Sequence, residues 1–391
     1  MRRMKRTANV LYWFLFLILT LLAVFSLYSG KRKWATAQSA EKTADFPRFR
    51  PENVHSFTVS WRDMVSTLAF ENGAWVVRER GSARAQTARV VEFLNTLSTV
   101  RPLKELEHCD AETIETLHLL EKTENPSAIP GLKIALRDPR GKEIFSLILG
   151  KGHYTQRPSG LPGYETSSAD GRYILLHREG EKDQVFLISR LFEDCHPNPA
   201  VWLEPLRLNE IQQLLTLSVG GVSPGGAADP EWILHRGNLS EQFRFLRPEE
   251  ARLDLGELSA ALELLSKPFS IDLLMNGPEN FHPTVSLEAV LANGFRYSLR
   301  FQEYDESSSS SASGTAAESA GAIARMQIQF SREAVQRLPN ETDEQYALRS
   351  TLLESRSKYE MEALSGNFFL VPKDLPGLVQ RLPASNAVRT K

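Results

Sequence analysis

The chain has 391 residues, enough for two or three domains, and its 42% hydrophobic and 24% charged content suits folded bodies with sizeable cores. Its formal net charge of −2 leaves no basic excess to advertise nucleic acid. Two cysteines, Cys109 and Cys195, are too few for a disulfide framework.

Val10 to Tyr28 reads VLYWFLFLILTLLAVFSLY, with no charge between Thr7 and Gly30. At 1.5 Å per residue this run spans about 28 Å, one hydrocarbon core. Nothing on such a helix could face water, and Tyr12, Trp13 and Tyr28 stand where aromatic rings favour the membrane interface. An uncleaved anchor is therefore expected within residues 1–30. A cleaved signal is the alternative, because Ala35-Thr36-Ala37 offers a site, but Lys31-Arg32-Lys33 intervenes and the run exceeds a usual signal core. Arg2, Arg3, Lys5 and Arg6 outweigh those three cations and favour an inside N-terminus with the body outside the cytoplasm. Residues 31–45 read as a tether that cannot bury enough apolar surface to fold.

A first unit is expected over 46–205. Val54 to Trp61 alternates apolar and polar residues as a half-buried strand does. Val65 to Phe70 and Trp75 to Val77 flank a hairpin turn at Glu71-Asn72-Gly73. The spacing of Val90, Val91, Leu94 and Leu97 predicts an amphipathic helix over Thr87 to Thr99. A second helix is predicted from Asp110, its N-cap, to Leu120, with Thr113 at N3. Leu132–Arg137 and Glu143–Leu149 form a second hairpin. Gly150 to Gly171 reads as a long loop, and Arg172–His177 with Gln184–Ile188 closes the unit as a third hairpin.

A second unit is expected over 206–383. Trp75–Val100 and Phe243–Pro268 align without a gap at an offset of 168, matching Ala83-Arg84, Leu94, Leu97 and Ser98 to Ala251-Arg252, Leu262, Leu265 and Ser266. Leu215–Ser218 answers Phe57–Ser60, with Gly220–Gly226 inserted in the following hairpin. Thr284–Val290 and Phe295–Phe301 answer the second hairpin about Asn293-Gly294, and Ala324–Phe330 is a further strand. Ser307 to Gly321, placed in a 306–321 loop, has almost no apolar bulk and reads as disordered. Thr342-Asp-Glu-Gln345 is a capping box opening a long polar helix to about Leu364, and Phe368–Val371 answers Val185–Ile188. Residues 384–391 form a tail. The expected fold class is α+β: two tandem related units of antiparallel hairpins with helices packed on the sheet, after one transmembrane helix.

A "V-x-x-F/I-x-V" strand, a hairpin ending in Trp, a helix, a "G-L-x-[IV]-x-L…G…L-x-L-G" hairpin and a "VFLI" strand follow one another. This order resembles the bacterial membrane-anchored family catalogued as a domain of unknown function, DUF 4340. The carrying residues are Val54, Phe57, Val59, Gly73, Trp75, Gly131, Leu132, Ile134, Leu136, Gly141, Leu147, Leu149, Gly150 and Val185 to Ile188, with the junction Ala200–Leu206. The resemblance spans Val54 to Leu217 well and the second half more faintly, where the Ser-rich tract and Tyr346–Leu364 depart from it. It implies a single anchor, an extracytoplasmic body, no assigned activity, and proximity to ABC-type export permeases and gliding-motility-like components.

His108-Cys109-Asp110 and Asp194-Cys195-His196 are the most suggestive chemistry. Cys109 and Cys195 could stay unpaired, form a disulfide, or join the two histidines around zinc, although the ligand spacing of a zinc turn is absent. Asp110, Glu112, Glu115 and Glu121 read as a solvated helix face rather than acid–base groups. Gly150-Lys151-Gly152 lacks a phosphate-loop pattern, Gly220–Gly226 reads as a hairpin tip, and His153-Tyr154 to Gly163-Tyr164 reads as a connector or recognition loop. No catalytic residue, cofactor or metal is therefore assigned. The expected function is an extracytoplasmic scaffold on the bacterial cytoplasmic membrane, partnered with that membrane and an envelope or export complex, not nucleic acid. An envelope hydrolase with a site between the units, or a ligand or glycan sensor, is the alternative.

Overall fold

A computed structural model describes residues 46–381 apart from 124, 126, 159–164, 224, 225, 250, 252, 279 and 305–319. The apolar run Val10–Tyr28, the tether, the tail and most of Ser307–Gly321 lie outside the described residues. No helix among the described residues is long and apolar enough to cross a membrane.

The first half runs β1 (Ser56–Trp61), β2 (Met64–Glu71), β3 (Ala74–Val77), β4 (Ala83–Arg84), α1 (Thr87–Ser98), β5 (Pro102–Leu106), α2 (Ala111–Thr116), β6 (Leu132–Arg137), β7 (Glu143–Pro158), β8 (Glu165–His177) and β9 (Gln184–Ile188). These strands form one antiparallel sheet in the order β4-β3-β2-β1-β6-β7-β8-β9-β5. Asn72 and Gly73 take φ of 50° and 82°, the left-handed pair a two-residue hairpin turn needs between right-twisted strands.

The second half runs β10 (Leu214–Val222), β11 (Ala228–His235), β12 (Arg244–Arg247), α3 (Leu255–Ser266), β13 (Asp272–Leu274), β14 (Val285–Leu291), β15 (Asn293–Glu303), β16 (Ala320–Val335), α4 (Asp343–Leu364), β17 (Phe368–Pro372) and α5 (Leu375–Arg381). Its sheet has the order β12-β11-β10-β14-β15-β16-β17-β13. Without the two-residue β4, the two orders are the same, and α1 and α3 each lead from the third strand to the strand at the far edge. Both helices have 12 residues, and their first and last residues lie 168 apart (255 − 87 and 266 − 98).

The structure is richer in sheet than a balanced α+β fold, and its helices are accessories to two antiparallel sheets. Each sheet has one largely apolar face, with a smaller apolar cluster on the other. In the first, Phe57, Val59, Leu136, Leu147 and Phe186 meet Val90, Phe93, Leu94 and Leu97 of α1. Trp202 stands edge-on to Phe57 and Phe93, both at 5.6 Å, and closes that core. In the second, Leu217, Leu287, Leu299, Phe301 and Met326 meet Leu258, Ala261 and Leu265 of α3. Fully burying one such aliphatic side chain is worth about 2 kcal/mol, so these faces carry most of the stability.

Three local expectations change. The second helix stops at Thr116, because His118 turns the chain with φ of 58° and Leu117 and Leu119 fold down onto the sheet. The segment 150–171 is a hairpin extension rather than a loop, with β7 and β8 paired out to Pro158 and Glu165. Gly220 and Gly221 belong to β10, so the hairpin tip begins only after Val222.

The capping box is present: Thr342 Oγ1 accepts from Gln345 N, and the Gln345 side chain accepts from Thr342 N. Helix α4 buries Ser350, Leu353, Ser357, Glu360, Ala363 and Leu364, one face by spacing but only half apolar. That face lies against β16, while Tyr359 and Glu362 on the other side of the helix meet Arg84 of β4, so α4 is wedged between the two sheets.

Candidate functional site

The seam between the halves is built from the weakest edges of both sheets. After β3 a single 3-10 turn, Arg78–Arg80, ends at Gly81, whose φ of 63° suits glycine. A Cβ at Gly81 would also stand 3.0 Å from Met275 Cε of the other half. The turn aims Arg80 at Asp272, the first residue of edge strand β13. Arg80 Nε donates to Asp272 Oδ1 at 2.8 Å and Nη2 to Oδ2 at 2.6 Å, a bidentate pair with side chains only 17% and 10% exposed. Asp272, by that hydrogen bond, holds the Arg80 pKa above its ordinary value. Next along β13, Leu273 packs into the first half's core.

A second clasp lies beside it. Arg84 of β4 pairs with Glu362 of α4 and places its guanidinium 4.9 Å from the Tyr359 ring centre. The Tyr359 hydroxyl donates to Glu204 Oε2 at 2.8 Å. Burial pushes the Glu204 carboxyl above the usual carboxylate range, against the lowering effect of that hydrogen bond. Burial and Glu204 together push Tyr359 up to about 12. Between the clasps opens a polar cleft of about 580 Å³, bordered by Asn72, Ser82, Leu274, Met275 and Asn367. Its acidic groups Glu71 and Glu362 are held by Arg78 and Arg84, so their lone pairs already face guanidinium N–H groups.

A groove of about 620 Å³ lies beside the first turn of α1, with Phe93, Phe192 and Trp202 as its apolar floor. Arg89 donates from Nη2 to the Asp194 carbonyl at 3.0 Å and lies over Trp202, while its buried Nε has no acceptor among the described residues. Phe192 holds φ of 53°, an uncommon conformation for a bulky residue.

The residues singled out in the sequence are not brought together. Cys109 joins Leu119, Leu175 and Val185 on one face of the first sheet, and Cys195 lies in the core on the other face. The sheet separates them, and both thiols are free. Burial raises the Cys195 thiol pKa strongly and that of Cys109 less. Among the described residues no group of three or more His, Cys, Asp or Glu is placed to hold a metal.

The carboxylates of the α2 region have structural partners: Asp110 caps the helix at Thr113 N (2.8 Å), Glu115 accepts from Asn125, and Glu121 accepts from Lys133. Lys151 N donates to the Leu117 carbonyl at 2.8 Å, so the glycine-flanked lysine sits where the strand receives the α2 segment. His153 Nδ1 lies 2.6 Å from Asp170 Oδ1 within the β7–β8 extension. Of the seam residues, Arg84 and Glu204 fall in segments that the sequence singled out, the repeat match and the 200–206 junction, but nothing in the sequence marked Arg80, Asp272 or Tyr359 as their neighbours.

No family model, no curated protein and no solved structure matches this chain.

Proposed function

We propose that this chain is a membrane-tethered, extracytoplasmic scaffold whose two sheets arose by tandem duplication and present their uncovered faces and seam to an envelope partner. The shared strand order and the constant offset of 168 between α1 and α3 support the duplication. The charge-free run Val10–Tyr28 supports the anchor, with the N-terminus inside. The resemblance to the DUF 4340 family fits the same placement and points to ABC-type export or gliding-like systems as the partner class.

The observation that carries the scaffold reading is the seam. Two sheets clasped by a shielded bidentate ion pair and a wedged helix make one stiff body, and a stiff body offers its partner a surface at little ordering cost. The pairing of the cleft carboxylates with arginines weighs against hydrolysis there, because a general acid or base needs a proton-exchanging lone pair aimed at substrate.

The test is purification of the full-length chain from its native membrane in mild detergent, with and without cross-linking, followed by mass spectrometry. Reproducible recovery of an export permease or its auxiliary proteins is expected. Recovery of this chain alone under both conditions would sink the scaffold reading.

A further inference from the structure

The two sheets differ most on the faces that α1 and α3 leave uncovered. On the first sheet, Ile148 of β7 pairs with Leu175 of β8, and Leu117 and Leu119 of the α2 segment cover that apolar pair. After α3 the segment between β13 and β14 covers only the edge of that face, where Phe281 meets Phe368 at 5.2 Å beside Ile323 and Leu370. On the same face of the matching strands β15 and β16, the rungs read Arg296–Gln329, Ser298–Gln327 and Arg300–Arg325. Arg300 and Arg325 are thus directly opposed, and Cβ atoms in such pairs stand about 5 Å apart. Like charges so placed repel, and both side chains are half-buried, where water screens them poorly.

Among the described residues neither arginine has a carboxylate partner. The neighbouring carboxylate, Glu288, is taken by Arg296 at 3.2 Å. Ser286, which flanks Arg300 on β14, spends its hydroxyl on the Gly220 carbonyl. The Arg325 guanidinium carbon lies over the Phe368 ring, 5.1 Å from its centre, and its Nε is buried with no acceptor among the described residues. A buried cationic N–H without an acceptor is costly, and two opposed guanidinium groups without an anion are costlier still.

We propose that Arg300 and Arg325 form a phosphate-binding site on the open face of the second sheet. A carboxylate brings one charge, enough for one of the two arginines. A phosphate group brings up to two charges and three or more acceptor oxygens, which two guanidinium forks can share. Ser298 and Gln327, on the adjoining rung, supply neutral hydrogen-bonding groups for the remainder of the ligand. Both a lipid headgroup and a soluble phosphate compound present this chemistry.

The test uses the full-length chain in mild detergent, as wild type, Arg300→Gln and Arg325→Gln. Thermal unfolding is followed with inorganic phosphate, with dioctanoyl phosphatidate, and with dioctanoyl phosphatidylcholine as control. Binding to the native state raises the melting temperature, so the wild type is expected to rise with at least one phosphate probe. Each single variant is expected to bind that probe about tenfold more weakly or worse. Without any ligand at low salt, Arg300→Gln is expected to melt higher than wild type, because it relieves the opposed charges. A purely structural arginine would lower the melting temperature when removed.

A response to phosphatidate alone assigns a headgroup, and a response to inorganic phosphate assigns a soluble ligand. Equal responses of wild type and variants to every probe, or no response at all, would overturn the site.

Discussion

Arg80 and Asp272 lie 192 residues apart in sequence and meet through two parallel N–H···O bonds of 2.8 and 2.6 Å. With the Arg84–Glu362 and Tyr359–Glu204 contacts, this pair joins two sheets that each have their own apolar core. Removing one partner leaves the other charged and shielded, which costs about 3 kcal/mol. Arg80→Met and Asp272→Leu are each expected to lose roughly that much in urea unfolding, and the double variant is expected to recover most of it. If the two single losses simply add in the double variant, the pair is not a coupled clasp.

The wedge helix should be as sensitive at Glu360. This carboxylate is 4% exposed, accepting from Asn209 Nδ2 at 3.0 Å, Arg356 Nε at 2.6 Å and Tyr297 Oη at 2.7 Å. Tyr297→Phe removes one donor from a buried charge and should cost about 1–3 kcal/mol, whereas the exposed Lys358→Ala should cost under about 0.5 kcal/mol. The comparison is made by chemical denaturation, and equal losses would contradict the network.

What could be read from the chain was what neighbours in sequence decide. The Asn72-Gly73 turn and the Thr342 capping box are each specified within a few residues and are present, and so is the stripe Val90, Leu94 and Leu97, except that Val91 is exposed and Phe93 is buried in its place. The reading of 150–171 as a loop failed because its glycines signalled a break. Here they permit close packing inside a strand: a Cβ at Gly150 would lie 2.3 Å from the Leu117 carbonyl, and one at Gly171 2.7 Å from that of Ile188. Edge strands β5 and β13 were missed because five and three residues show too little alternation to register. The seam was illegible for a different reason. Arg80, Asp272, Arg84 and Glu204 look like ordinary surface charges until the fold removes them from water.

Acid stability should depend on Glu341. The hydrogen bond from Arg349 holds its pKa at about 2, below the ordinary 4.5, helped by the Leu338 N–H. A carboxyl lowered in the folded state contributes stability that is full above 4.5 and is lost as pH falls toward 2. Glu341→Gln is therefore expected to shrink the drop in unfolding midpoint between pH 5 and about 2. Glu204 carries the opposite sign. Its pKa is raised, so the folded state keeps a proton that the unfolded state releases, and stability falls as pH rises from 4.5 through the raised value. Glu204→Gln should flatten that limb and leave the acid limb alone. A Glu341→Gln profile that overlays the wild type below pH 5 would refute the first assignment.

Thiol chemistry should separate the two faces of the first sheet. The thiolate is the nucleophile, and burial in apolar surroundings disfavours it, most strongly at Cys195 in the main core. Cys109 is also raised by burial and by the adjacent Asp110, but it sits half-exposed beside the α2 turn. Iodoacetamide at pH 8 is expected to label Cys109 in the native protein and to reach Cys195 only as the sheet opens. The Cys195 rate should then follow denaturant as unfolding does, while the Cys109 rate changes little. Intact mass under non-reducing conditions gives the second arm, since a bond between the two would remove two hydrogens and block both reactions. Equal native labelling of both cysteines, or protection of both with that mass loss, would contradict the placement of the sheet between them.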